Sequence, residues 1–194
     1  MIIDNKLSFK EHVDALSRRA FAKIHALKRI APFMSEEKRL HASNAFVMCE
    51  TSYCPLIWSF SNKRNLGIVE RIHRGVNRAI RGNGHPTLNL PVHRRHCELL
   101  LREVFKVQHD IGPSYMGDVF QLKDHLRYAL RNGNTLLRHG IRTSRHGLLS
   151  LSHVAAQLWD TVPASVKNAS SVGDFRQKLQ SLEHLRCTCH LCNS

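Results

Sequence analysis

Carboxylates are scarce in this sequence. Fifteen Asp and Glu stand against 29 Lys and Arg, giving a formal charge of +14 and a pI near 10.1. The aspartates, at 4, 14, 110, 118, 124, 160 and 174, include no Asp-Asp pair. The only adjacent carboxylates, Glu36-Glu37, fall in the first turn of an expected helix, where they complement its dipole. Two-metal polymerase or nuclease chemistry needs converging carboxylates to hold its ions, so no catalytic residue is assigned here. There is also no P-loop, no glycine-rich dinucleotide turn and no Gly-x-Ser-x-Gly elbow.

Long apolar runs are missing too. The longest are a few residues, far short of the ~20 that span a bilayer. The opening MIIDNKLSFK has neither a basic n-region nor a long apolar h-region, so a signal peptide is not expected. The expectation is an unsecreted protein of the nucleus or cytoplasm. Cys49, Cys54, Cys97, Cys187, Cys189 and Cys192 show no spaced disulfide framework and read as reduced thiols or metal ligands.

What is present is positive charge over an ordinary hydrophobic content of 42%. Residues 1–110 carry 19 basic and 10 acidic side chains, and residues 111–194 carry 10 and 5, so the excess runs through the whole chain. A basic surplus spread this widely implies a polyanionic partner, nucleic acid ahead of membrane.

The pattern is helical. Residues 1–5 read as the end of a strand closed by the turn-formers Asp4-Asn5. Ser8-Phe9-Lys10-Glu11 fits a capping box, opening a helix whose seam is Phe9, Val13, Leu16, Ala20, Ile24 and Leu27. Arg18, Arg19, Lys23, Lys28 and Arg29 lie off that seam, and Pro32 marks its end. Ser35 caps a second helix over about 36–52, with Leu40, Ala45, Phe46 and Cys49 as its apolar positions. Tyr53-Cys54-Pro55-Leu56-Ile57-Trp58 follows as an apolar anchor.

A third helix runs from Asn65 with two opposed faces. At about 100° per residue, Val69, Ile72, Val76, Ala79 and Ile80 share one side, and Arg71, Arg74, Arg78 and Arg81 the other. Such a face can be ordinary solvated surface or a rail of guanidinium groups for phosphates; the basic composition favours the rail. Gly82-Asn83-Gly84-His85-Pro86 stops the helix.

A fourth helix, about 92–110, places Leu99, Leu100, Val104 and Val107 inside and Arg94, Arg95, Arg102 and Lys106 mostly outside. A short turn of helix is expected near 115–120. The stretch that follows carries Arg127, Arg131, Arg138, Arg142 and Arg145 with no acid between Asp124 and Asp160, on backbone that reads as extended or looped. Helical pattern returns at 148–159, Pro163 starts a short piece, and Ser171 caps a last helix with Val172, Phe175, Leu179 and Leu182.

Metal spacing occurs twice. His93 and His96 stand three apart, without an evident third ligand. In the tail, His184-x-x-Cys187 and Cys189-x-x-Cys192 are knuckle spacings for zinc, with His190 spare, but only Thr188 separates the pairs. The competing reading is a frayed end that bears thiols.

The segments DNKLSFKEHVDAL, SYCPLIWSF and VERIHRGVNRAIRG resemble the region just after the palm in reverse transcriptases of jockey-like non-LTR retrotransposons. Downstream, RTSRHGLLSLSHVAAQLWDTVPASVKNASSVGDFRQKL resembles the same proteins' C-terminal segment. The resemblance covers essentially the whole chain in the same order. It implies a thumb-like helical bundle and connection region, belonging to an RNA-directed DNA polymerase whose palm, with its paired aspartates and catalytic magnesium, precedes this stretch. The partner so implied is template–primer RNA or DNA held by its backbone. His73 and Gly75 depart from the family pattern, Gln and a larger helix former being common there. Gly75 costs about 1 kcal/mol inside a helix, as a decayed copy would tolerate.

The expected fold is therefore mainly α. Residues 1–7 form a remnant strand, 8–111 a thumb-like bundle with a soft break near 111–113, 112–183 a mixed helical region, and 184–194 a Cys/His tail. A standalone or domesticated basic module and a non-functional pseudogene product are the alternatives to a polymerase fragment. If the tail closes a zinc site, purified protein will hold near-stoichiometric zinc that a chelator removes; metal-free protein with fully reactive thiols ends that idea.

Overall fold

The structure is a computed structural model that describes residues 1–60, 62–81, 92–123, 135–138, 140–143, 147 and 150–182. The fold is mainly α, and the only β pairing among the described residues is an isolated antiparallel bridge, Leu122 with Leu136. The chain divides by packing into two compact units, Met1–His93 and Arg94–Ser194.

In the first unit, α1 (Lys10–Ile30) buries Val13, Leu16, Ala20, Ile24 and Leu27 along one side, and Phe9 just before it is buried too. The expected strand at its start does not form. Ile2 and Ile3 stay exposed, and the Ile2 N–H donates to His12 Nδ1 at 3.4 Å, because no strand among the described residues offers a ladder. The capping box fails as well. Phe9 takes a left-handed conformation (φ 52°), and Ser8 Oγ accepts from the Lys10 N–H at 3.4 Å instead of from Glu11. Asp4 does the work from upstream, accepting from the N–H groups of Lys6 (3.0 Å), Ser8 (3.0 Å) and Phe9 (2.7 Å) and from the Ser8 hydroxyl (3.0 Å). A carboxylate reaching three backbone donors holds a bend that a bulky residue at positive φ resists.

Pro32, lacking an N–H, ends α1 in a single 3-10 turn. Then α2 (Glu36–Ser43) starts at Ser35, whose hydroxyl accepts from the Lys38 N–H. It runs through a π-helical stretch, Asn44–Met48, into α3 (Cys49–Ser52). The face it buries is Ser43, Val47, Met48 and Thr51, whereas Ala45, Phe46 and Cys49 are exposed. Apolar identity alone therefore selected the wrong side.

The anchor is α4 (Pro55–Trp58). Trp58 is fully buried, donates Nε1–H to the Tyr53 carbonyl at 3.0 Å and sits edge-on to His12. Asn62 then caps α5 (Lys63–Arg81), its Oδ1 accepting from the Asn65 N–H at 2.8 Å. Asn62 and Asn65 both donate to the Ser8 carbonyl, at 3.1 and 2.8 Å, and tie the start of α5 to the start of α1. Along α5, Ile68, Val69, Ile72, Val76, Ala79 and Ile80 are buried.

Gly75 sits where the two long helices meet. A Cβ there would lie 3.1 Å from Ile24 Cδ1 and 3.7 Å from Phe21 Cε1. Its absent side chain lets the helices approach, so the glycine is a packing position and needs no appeal to decay.

In the second unit, α6 (Val92–Gln108) buries Cys97, Leu100, Leu101, Val104 and Phe105, while Leu99 and Val107 are only half-buried. It closes with Asp110 left-handed (φ 55°), the N–H groups of Ile111 and Asp110 returning to the carbonyls of Lys106 and Val107. A 3-10 turn follows at Ser114–Gly117. Ser150 and Ser171 cap α7 (Leu151–Thr161) and α9 (Val172–Ser181), and Pro163 opens α8 (Ala164–Lys167). Phe175 stacks on Phe105 at 4.4 Å and tilts against Trp159 at 6.1 Å, forming this unit's aromatic centre.

Gly75→Leu will destabilise the chain by about 1–3 kcal/mol in a chemical melt, by overpacking the α1–α5 contact. An unchanged midpoint would mean that the contact yields freely.

Candidate nucleic-acid interface

The basic face of α5 is held in place by the apolar one. With Val69, Ile72, Val76 and Ile80 at 0–1% exposure, the helix cannot roll without opening the core. Its opposite side is therefore fixed outward, and Arg71, Arg74 and Arg78 are all exposed there. These three have no carboxylate partner among the described residues. Arg78 Nε leans on the Arg74 carbonyl at 3.4 Å.

Arg81 differs from the other three. It is half-buried and paired with Glu36, Nε to Oε1 at 2.7 Å. At the other end of the helix, Arg64 is paired with Asp14 at 2.9 Å. The ten steps from Arg71 to Arg81 rise about 15 Å, which matches roughly four phosphate steps of about 3.4 Å along one strand.

The same sorting operates on α1. Arg19 and Lys23 both reach Glu50, at 3.0 and 2.5 Å, and so fasten α1 to α3. Arg18, Lys28 and Arg29 remain exposed. Scarce acids thus neutralise selected cations and leave others free, which sequence spacing does not reveal.

In the second unit, Arg138 is paired with Asp160 at 2.5 Å, whereas Arg142 is exposed. Arg127, Arg131 and Arg145 lie outside the described residues, as do His184, Cys187, Cys189 and Cys192. Among the described residues no group of three or more His, Cys, Asp or Glu could hold a metal ion. His93 packs its ring edge against Phe60 at 5.9 Å and His96 is buried. Cys49 and Cys54 are exposed free thiols, and Cys97 is buried.

Two titratable groups of the second unit escaped the sequence reading. Lys167 is only 9% exposed, with Nζ 5.2 Å from the centre of the Trp159 ring, and burial pushes its pKa down. His153 is buried with neither ring nitrogen hydrogen-bonded; burial, then the charge of Arg138, lowers its pKa. Their positions in short amphipathic helices gave no signal beyond their spacing.

Glu50 offers a test of the sorted charges. The hydrogen bond from Lys23 outweighs the opposing desolvation and, with Arg19, holds its carboxyl below the ordinary range. Because the folded-state pKa is the lower one, this stabilisation is present above the unfolded value and lost as pH falls through the folded one. Glu50→Gln will therefore lower the melting temperature at neutral pH and flatten its decline between about pH 5 and pH 3. Parallel curves for variant and parent would show that the clamp contributes nothing.

No helix among the described residues is long and apolar enough to cross a membrane. Compared with protein-family models, curated proteins and solved structures, the chain matches none.

Proposed function

We propose that this chain binds nucleic acid by its sugar–phosphate backbone, as a thumb-like region of a retrotransposon RNA-directed DNA polymerase does for its template–primer. The observation that carries the reading is the outward row Arg71, Arg74 and Arg78, exposed and without carboxylate partners. Rigid placement on a buried helix reduces the ordering cost of each phosphate contact. Contacts to phosphates position a duplex without reading its sequence, so the expected binding is non-specific and steeply dependent on salt.

The polymerase assignment rests on the resemblance of the three N-terminal segments and the Trp159–Pro163 region, and it places the chemistry elsewhere. The chain contributes grip, and any magnesium belongs to the polymerase's palm. A second reading, a standalone basic module, gains from one feature: the apolar face of α5 is covered within residues 1–93. No missing palm is needed to bury it. An in-frame palm with paired aspartates in the DNA upstream of Met1 would decide for the polymerase, and a promoter with its own start context for the module. A non-cooperative thermal melt would support a non-functional product.

Salt titration of oligonucleotide binding tests the shared claim. Arg71→Gln, Arg74→Gln and Arg78→Gln together should flatten the log–log salt slope by about 2 to 3, near 0.7–0.9 per phosphate released. Arg81→Gln alone should change it far less, because Glu36 already neutralises that side chain. An unchanged slope in the triple variant removes α5 from the binding face. Polymerase assays on any template should give no product.

A further inference from the structure

Where α1 and α5 end and α2 begins, the first unit carries an open cleft of about 390 Å³, lined by Lys28, Arg39, Arg78 and Arg81 with Ala31 and Pro32. Three helices supply the four cations, so no periodicity within any one helix could have assembled them. Arg39 is already fixed: Nε–H donates to the Met34 carbonyl at 2.9 Å and Nη1–H to the Ile80 carbonyl at 2.8 Å. Two of its five N–H donors are thereby used, and the planar fork keeps the others in a set orientation. Lys28 is exposed and has no ion-pair partner among the described residues.

Ordinary dipole compensation accounts for part of this cluster. The C-termini of α1 and α5 each present about half a negative charge, and Glu36 adds a full one through its pair with Arg81. Against four cations, that leaves a surplus of about two positive charges in one concave site. A surplus of this size, around a guanidinium held in advance, is complementary in charge to a phosphate group, and guanidinium N–H groups are good donors to phosphate oxygens. Arg78 is common to the cleft and to the exposed row on α5, so the two are continuous.

We propose that this cleft is a phosphate-binding site, seating a backbone phosphate of the strand that runs along Arg71, Arg74 and Arg78. The choice of a strand as the source rests on the backbone-binding reading of α5, whereas the phosphate chemistry of the cleft does not. Lys28 and Arg39 thereby join the binding surface from α1 and α2.

Two measurements on the full chain test this. The first is the melting temperature in inorganic phosphate against chloride at matched ionic strength. Lys28→Glu should lose much of the phosphate-specific rise, while Arg71→Gln with Arg74→Gln should keep it. General salting effects act equally on all variants, so a rise fully retained in Lys28→Glu overturns the site. The second is the salt slope of oligonucleotide binding, which Lys28→Gln should flatten by about 0.7–0.9, one phosphate's worth. If that slope is unchanged although Arg71→Gln with Arg74→Gln flattens it, the strand is overturned as the source and the site takes free phosphate. If the arginine variants leave the slope unchanged but Lys28→Glu loses the phosphate rise, the cleft stands and the backbone reading of α5 fails.

Discussion

The first unit depends on one contact, the crossing of α1 and α5 at Gly75. A Cβ at that position would already press on Ile24 Cδ1 at 3.1 Å, so the helices meet closely where the side chain is missing. Around that point the seams Val13–Leu16–Ala20–Ile24 and Val69–Ile72–Val76–Ile80 exclude water completely or nearly so. At roughly 25 cal/mol per Å² of apolar surface, a continuous two-helix seam outweighs the helix-propensity penalty of one glycine, about 1 kcal/mol. The asparagines at 62 and 65 set the register from one end by sharing the Ser8 carbonyl. Both ends of α5 are thus held, because Arg39 secures the Ile80 carbonyl at the other.

A helix whose apolar side is locked presents its arginines at a defined place, and carboxylates decide which of them stay available. Asp14, Glu36 and Glu50 bind Arg64, Arg81, Arg19 and Lys23. Since acids are few, each pairing also sets the shape of the surviving positive surface. Exposed cations remain on the outer face of α5 and also at Arg18, Lys28, Arg29 and Arg142.

The second unit uses different physics. Its centre is aromatic, with Phe105, Phe175 and Trp159 in contact, and a buried ammonium, Lys167, over the indole. Burial of that charge is tolerated where a π face and the carboxylate of Asp160 offset part of the desolvation. His153 in the same unit is buried with its nitrogens unsatisfied, a cost that neutral imidazole bears more readily than a charged ring.

Period and punctuation were sufficient for much of this. The seam of α1, the two faces of α5, the stop at Pro32, and the serine caps at 35 and 171 follow from local rules that act within one or two turns. Where a decision was non-local, the sequence could not make it. The start of α1 is governed by Asp4 and the buried side of α2 and α3 by what lies against it, so neither the capping box nor the Ala45–Phe46–Cys49 side survived. Arg81 looks equivalent to Arg71, Arg74 and Arg78 along the helix, and only the approach of Glu36 makes it different. Sequence alone determined that this chain is helical and basic and that α5 has a basic side, because helix periodicity is set by neighbours along the chain and net charge by composition. Tertiary structure decided which cations remain free and which converge, because Coulombic pairing depends on distance in space and not on distance in sequence.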